Sequence, residues 1–304
     1  MIDAFRFKIS IEEHGMTAKT ESLPSKGNPA LQNRSANFLT DAPWWAFLIL
    51  LAGVILIYNF ITNETYNKII STLGEGVRLT AIATISAYSM ALVLGLTTAL
   101  MQLSSNVVWR NLAQLYVQII RGVPILVQIF YWAIVIFPVF LIPAVNNLGI
   151  ALAERGVLGA ENFLTEFEVD FLGRGIVALA FSYGAFSSEI FRAGIQSIEK
   201  GQREAAAALG LTWFQSFRFI ILPQALRRVL PPMGNDFIAM LKETSLLSAL
   251  GVNEITQLGK KYGAASFLYP PTYNTVAFLY LSMTLLLSMI VRYMEQRFKS
   301  DQRK

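Results

Sequence analysis

Three stretches of this chain, residues 79–109, 122–153 and 262–291, contain no Asp, Glu, Lys or Arg at all. The first two run for 31 and 32 residues, and about 20 apolar residues are enough to cross a bilayer core. Ordinary soluble domains are about 25% charged, whereas this chain is 15% charged and 54% hydrophobic. The chain reads as a multispanning, all-α membrane protein.

The same composition removes several chemistries. There is no cysteine, hence no disulfide, no thiolate metal site and no cysteine nucleophile. The one histidine, His14, stands in a polar N-terminal stretch, which leaves no histidine metal cluster and no Ser-His-Asp triad. No segment fits the phosphate-binding pattern G-x-x-x-x-G-K-[ST]; Gly259-Lys260-Lys261 lacks both the first glycine and the hydroxyl. A net charge of +5 does not call for nucleic acid, because membrane proteins carry excess Lys and Arg on the cytoplasmic side.

Six spans are predicted, at Trp44–Ile61, Leu79–Leu103, Val123–Ile142, Gly175–Ile195, Val229–Val252 and Thr275–Val291. The first opens with Pro43 and the tryptophan pair Trp44-Trp45, an interfacial belt. Residues 1–43 are polar and turn-rich, with no signal-peptide core, and read as a largely disordered extension. The 143–173 segment holds Glu154, Glu161, Glu166, Glu168 and Asp170 and reads as too acidic for lipid. With both termini inside, eighteen Lys and Arg fall on the cytoplasmic side and six outside, a strong positive-inside bias. The loop 197–228 is then cytoplasmic, as is the tail 296–304.

Some charges fall inside these spans. A charge at mid-bilayer costs about 2.5–3.5 kcal/mol on the insertion scale. Asp236, Lys242 and Glu243 therefore have to pair, face the bundle interior or line a wet path. Glu189 and Arg192 stand at i, i+3 with the acid first, the favourable order for a helical ion pair. Arg121 precedes Pro124 and reads as an interfacial anchor or as part of a path. Together with Thr244 and Ser245, these charges form a candidate translocation path or core charge network. Gln128, Tyr131 and Tyr183 suit either a ligand or a neighbouring helix.

The loop carries the most informative run, Glu204-Ala205-Ala206-Ala207-Ala208-Leu209-Gly210, continuing to Ile220-Ile221-Leu222-Pro223. Four alanines favour helix and offer a flat surface; Gly210 is placed to end that helix. A second short helix is expected over Leu211–Phe219, stopped by Pro223. An amphipathic loop lying on the membrane would have a similar composition.

The spacing resembles the EAA loop of ABC importer permeases at every fixed position. Ser188-Glu189-Ile190-Phe191-Arg192-Ala193-Gly194, Lys200-Gly201-Gln202, Gly76-Val77-Arg78-Leu79-Thr80, Arg121-Gly122-Val123-Pro124, Leu222-Pro223-Gln224-Ala225 and Leu241-Lys242-Glu243-Thr244-Ser245-Leu246 resemble the polar amino-acid uptake branch. The resemblance covers residues 70–295. It implies a type I importer core of five helices, to which residues 44–61 add an extra span.

It further implies a subunit that is not itself an enzyme and binds no cofactor, because ATP and Mg belong to a partner ATPase. The loop would dock on that ATPase through Gln202, Arg203, Glu204, Ala205, Ala206, Gly210, Leu222 and Pro223. A second permease, identical or related, an extracytoplasmic solute-binding protein and the plasma (inner) membrane complete the implied assembly. A secondary transporter would be expected to show internal repeats with interrupted helices, and none is visible. A membrane scaffold would explain the loop but not the buried charges.

Overall fold

The computed structural model describes residues 44–156 and 167–301, which are helical or in short connections, with no strand among them. Residues 1–43 and 302–304 lie outside the described residues, as do Glu161 and Glu166 of the acidic segment. The chain divides into two units, Met1–Leu51 and Ala52–Lys304. In the first, the described residues are the opening turns of α1 (Trp44–Thr62). Trp44, Trp45, Leu48 and Leu50 are each more than half exposed there. A helix that shows apolar residues all round suits lipid, not water.

The second unit is organised around α2 (Glu64–Gln102), which lies along α6 (Phe171–Gln196). Their shared face is made of small residues, with Ala83, Ala87, Ala91 and Ala99 of α2 and Ala178, Ala185, Ser187 and Ser188 of α6 all buried. At Gly95 the backbones come so near that a Cβ would lie 2.8 Å from Ser187 Cβ and 3.1 Å from the Ser188 nitrogen. Lipid tails are as apolar as leucine, so helices in a bilayer gain from such close backbone packing and not from hydrophobic exclusion.

α2 begins fifteen residues before the predicted span at Leu79. Asn63 caps it, its side-chain oxygen accepting the Thr65 and Tyr66 N–H groups at 2.9 and 3.4 Å. Ile69, Leu73, Gly76 and Thr80 form one buried stripe while Lys68, Glu75 and Arg78 stay exposed. The helix can therefore extend past the apolar run, with its charges turned outward.

A second departure concerns the third span. α3 (Val107–Gly122) is a helix in the interval between the predicted second and third spans; it is followed by α4 (Ile125–Phe130), a π-helical stretch at Tyr131–Leu141 and α5 (Ile142–Glu154). Helix thus continues past the predicted end at Ile142, with Pro143 directly after the π-helical stretch, where the regular i→i−4 ladder is already interrupted. Residues 143–153 are uncharged, so Ile125–Glu154 forms one apolar run of 30 residues. The acidic part of the 143–173 segment starts only at Glu154.

The remaining elements are α7 (Lys200–Ala208), α8 (Trp213–Ser216), a π-turn at Phe217–Ile221, α9 (Leu222–Glu243), a 3₁₀ turn at Thr244–Leu250, α10 (Ile255–Ser266) and α11 (Tyr269–Asp301). Four described helices, Trp44–Thr62, Glu64–Gln102, Ile125–Glu154 and Tyr269–Gln296, are long and apolar enough to cross a membrane by length and composition. The predicted fourth span lies within α6; the predicted fifth takes in only residues 229–243 of α9 and runs on into the 3₁₀ turn, and both carry the polar and charged residues discussed next.

Candidate functional site

α7 ends in a compact hydrogen-bonded turn. The Leu211 N–H donates to the Ala206 carbonyl at 3.1 Å and the Gly210 N–H to the Ala207 carbonyl at 3.0 Å. This is the double bond pattern of a Schellman cap, with Gly210 in the left-handed region at φ 74°. Gly210 therefore ends the helix as its position predicts.

The alanine run is not uniformly outward. Ala206 is fully buried, while Ala205, Ala207 and Ala208 are exposed together with Glu204 and Gly210. Next to them Leu209 is 77% exposed, and Phe214 and Phe219 are 60% and 66% exposed. Glu204 makes no hydrogen bond or ion pair among the described residues and stands beyond the first turn of α7, so it is not a capping acid. Gln202 accepts a long bond from Gln224 at 3.4 Å, tying α7 to α9. Arg203 lies on α7, with its side chain outside the described residues.

The expected second short helix is corrected. Pro223 does not stop it; α8 runs through the π-turn directly into α9, and Pro223 sits in the first turn of α9. Proline is tolerated there because the π-turn directly before it already interrupts the regular i→i−4 ladder. Leu222 is half-buried and Pro223 exposed. Beneath the loop, Ile195, Ile198, Ile221 and Ala225 pack into a cluster with Phe217, Leu100 and Leu103. This cluster fixes the loop to the ends of α2 and α6.

A second group of polar side chains lies between α2, α6 and α9. Ser187 donates to Asp236 Oδ2 at 2.9 Å. The Tyr88 hydroxyl donates to the Met233 carbonyl at 2.6 Å. Glu243, two turns beyond Asp236, has its Oε2 buried without a hydrogen-bond partner, and Tyr183 lies against its carboxylate. Lys242 is exposed and makes no ion pair among the described residues, although its charge acts on the neighbouring Glu243. Thr244 is buried and donates to the Leu241 carbonyl at 2.7 Å; Ser245 is half-buried. The run Lys242 to Ser245 is therefore split, with Glu243 inward and Lys242 outward.

Glu189 and Arg192 form the expected i, i+3 ion pair at 2.6 Å, the only ion pair among the described residues. Gln102 donates to Glu189 Oε1 at 3.2 Å, and Arg192 donates to Gln196 at 2.9 Å. Arg121 lies across from them, 5.8 Å over the Phe186 ring, and lines a cavity with Glu189 and Arg192. It is thus grouped with the pair and is not an isolated anchor.

Gln128, open to either role in the sequence, is structural. Its Nε2 donates to the Ile120 and Val123 carbonyls, both at 2.7 Å, and its Oε1 accepts from Ser182 at 2.7 Å. Those carbonyls are freed by the break at Val123-Pro124.

One buried acid was not singled out by the sequence. Glu254 is fully buried. Its carboxylate accepts the Thr256 and Gln257 N–H groups, each at 2.8 Å, and the Tyr280 hydroxyl at 2.7 Å. Burial pushes this carboxyl above its ordinary value, against the lowering effect of those bonds. The pattern Glu254-Ile255-Thr256-Gln257 is legible as a helix cap, but nothing local announces Tyr280.

Residues 91–300 match the family described as "Binding-protein-dependent transport system inner membrane component". The glutamine transport system permease protein GlnP of Escherichia coli K12 is 34% identical over 230 residues, covering 76% of this chain and 94% of that protein. The arginine transport system permease protein ArgU of Corynebacterium glutamicum is 33% identical over 268 residues, covering 84% and 80%. Among solved structures, an amino acid ABC transporter crystallised with histidines superposes with a TM-score of 0.63 at 30% identity, covering 77% of this chain and 97% of that one. With an exposed, glycine-capped loop fixed to the end of an apolar helical bundle and relatives matched over nearly their whole length, the chain belongs to the family of binding-protein-dependent transport system inner membrane components, the permease subunits of ABC importers.

Proposed function

We propose that this permease is the transmembrane subunit of an importer of polar or charged amino acids, driven by a separate ATPase that docks on the loop 197–228. The permease itself is not an enzyme. The observation that carries the reading is the loop's outer face, where Glu204, Ala205 and Gly210 are exposed beside Leu209 and Phe214. A bare carboxylate among exposed apolar side chains suits a protein partner, since an ion-assisted hydrogen bond to Glu204 is worth about 1.5–3 kcal/mol.

The assembly is a dimer with itself or a relative, two ATPase subunits that bind ATP and Mg, and an extracytoplasmic solute-binding protein. Both termini and the loop face the cytoplasm, as the positive-inside bias requires. Within the bundle, Asp236 and Glu243 line the path and meet the substrate's ammonium group. Two inward carboxylates, one with a buried oxygen that lacks a hydrogen-bond partner, support that role.

Purification of wild type and Glu204→Lys from membranes tests the docking. The ATPase is expected to co-purify with wild type and to be lost from the variant. Equal recovery of the ATPase with both proteins, or none with folded wild type, overturns it.

A further inference from the structure

The groove between α3 and α6 contains polar groups that neither the loop nor the interior acids use. A cavity of about 630 Å³ is lined on one side by Arg110, Gln114, Gln118 and Arg121, and on the other by Glu189 and Arg192. The four α3 residues recur at helical spacing and so share one face. The opposite face of α3 shows Leu112, Leu115 and Ile119, each about half exposed. This helix buries Ala113 and Val117, turns one apolar side outward and leaves its polar side on the open groove, the arrangement that lipid on one side and water on the other would select. A neighbouring cavity of about 560 Å³ shares Arg121, Glu189 and Arg192 and reaches Arg228, at the end of the bundle that carries the loop.

The charge in this groove is unbalanced, with four guanidinium groups facing one carboxylate. Arg192 is committed to Glu189 and Gln196, and Arg228 donates to the Ser197 carbonyl. Arg110 and Arg121 have no acceptor among the described residues. They share one face of α3 about three turns apart with two side-chain amides between them, and Arg121, over the Phe186 ring and beside Gln118, offers paired donors to a planar anion. Arginine binds carboxylate with paired N–H donors.

We propose that this groove holds the carboxylate of an amino acid on the paired donors of Arg121, with Gln118 as a further donor and Arg110 adding positive charge to the same groove, at the loop end of the bundle. The inference rests on the amino-acid import reading and adds to it a second station, distinct from the acids at Asp236 and Glu243. The chemistry divides accordingly, with carboxylates in the interior for the ammonium group and guanidinium groups at the loop end for the carboxylate. A phospholipid headgroup would offer a similar anion, but its acyl chains need an apolar channel. Val117 is the one apolar side chain lining the larger cavity.

The test uses the full permease, purified with its ATPase and embedded in nanodiscs. It is dialysed against an equimolar mixture of the twenty common L-amino acids, and retained solutes are identified by mass spectrometry. Wild type is expected to retain one or a few amino acids. The double variant Arg110→Gln/Arg121→Gln should retain them at least about tenfold less, as loss of two charge-assisted bonds to one carboxylate implies. Lys68→Gln, at an exposed lysine outside both the groove and the loop, should behave as wild type. The decarboxylated amine of the retained amino acid should not compete.

Wild-type retention that survives the double variant, equal competition by the amine, or no retained amino acid each overturns the groove site. So does a phospholipid that co-purifies with wild type and is lost from the double variant. ATP-driven uptake by the wild-type complex in proteoliposomes supplied with its solute-binding protein, measured in parallel, separates the two readings. Uptake with no groove binding removes only the groove; absence of uptake for every amino acid removes the import reading itself.

Discussion

The Leu211 N–H reaches back to the Ala206 carbonyl at 3.1 Å, and this bond closes only because Gly210 between them adopts φ 74°. A residue with a Cβ pays roughly 1–2 kcal/mol in the left-handed region, and a β-branched one more. Gly210→Val is therefore expected to unwind the turn that presents Leu209 and Glu204, while the bundle below stays folded. Uptake should fall at least about tenfold with normal amounts of protein in the membrane, and Gly210→Asn, which tolerates this conformation, should retain most activity. Substrate uptake and a membrane immunoblot on the same cells check both; normal uptake by the valine variant would show that the turn is not needed.

Gln128 joins two freed carbonyls of one helix to Ser182 of another. Gln128→Leu leaves both carbonyls and the serine hydroxyl without this partner. Hydrogen bonds within membrane bundles average about 0.6 kcal/mol each, and a stranded buried group costs about 1–3 kcal/mol. A loss of roughly 2–3 kcal/mol in stability is expected, read as a lowered unfolding midpoint of the detergent-purified protein. An unchanged midpoint would mean that water or a backbone shift replaces the glutamine.

Glu254 gives a pH dependence with a definite sign. Burial holds its folded carboxyl above the ordinary 4.5, so the folded protein keeps the proton to higher pH than the unfolded chain. Stability from this group is then fully present below the unfolded value and is lost as pH rises through the folded one. Thermal midpoints measured from pH 4 upward should decline over that interval in wild type. Glu254→Gln removes the ionisation, and its decline should be smaller, although its weaker cap lowers the whole curve. Parallel curves for the two proteins would assign the decline to other groups.

The parts that could be read in the sequence are those in which a short segment fixes its own geometry. Glu204 to Gly210 carries helix, cap and spacing within seven residues, and the structure has the turn where that pattern puts it. Pro223 was misread because a proline can end one helix or open another, and the choice depends on the π-turn before it. The early start of α2 was hidden by Lys68, Glu75 and Arg78, which interrupt the apolar run but share the outer face of one helix. Lys242 and Glu243 are neighbours in sequence, yet adjacent helical residues point about 100° apart, which leaves one exposed and the other half-buried. Gln128 and Glu254 depend on Ser182 and Tyr280, partners 54 and 26 residues away, and no local pattern announces such contacts.

Asp236 and Glu243 carry the last prediction. Both face the interior near Ser187 and Tyr183, and one oxygen of Glu243 is buried with no partner. Were they merely structural, the neutral isosteres Asp236→Asn and Glu243→Gln would spare the protein an uncompensated buried charge and leave it as stable or more so, with transport intact. Were they a seat for a passing ammonium group, removing either charge would remove the attraction while the fold persisted. Each single variant is therefore expected to retain its thermal midpoint and its bound ATPase but to lose at least about tenfold in uptake. The decisive comparison is uptake against midpoint in the same preparations. Full uptake by both variants would return these acids to the packing of the bundle, and loss of both properties together would make them supports of the fold.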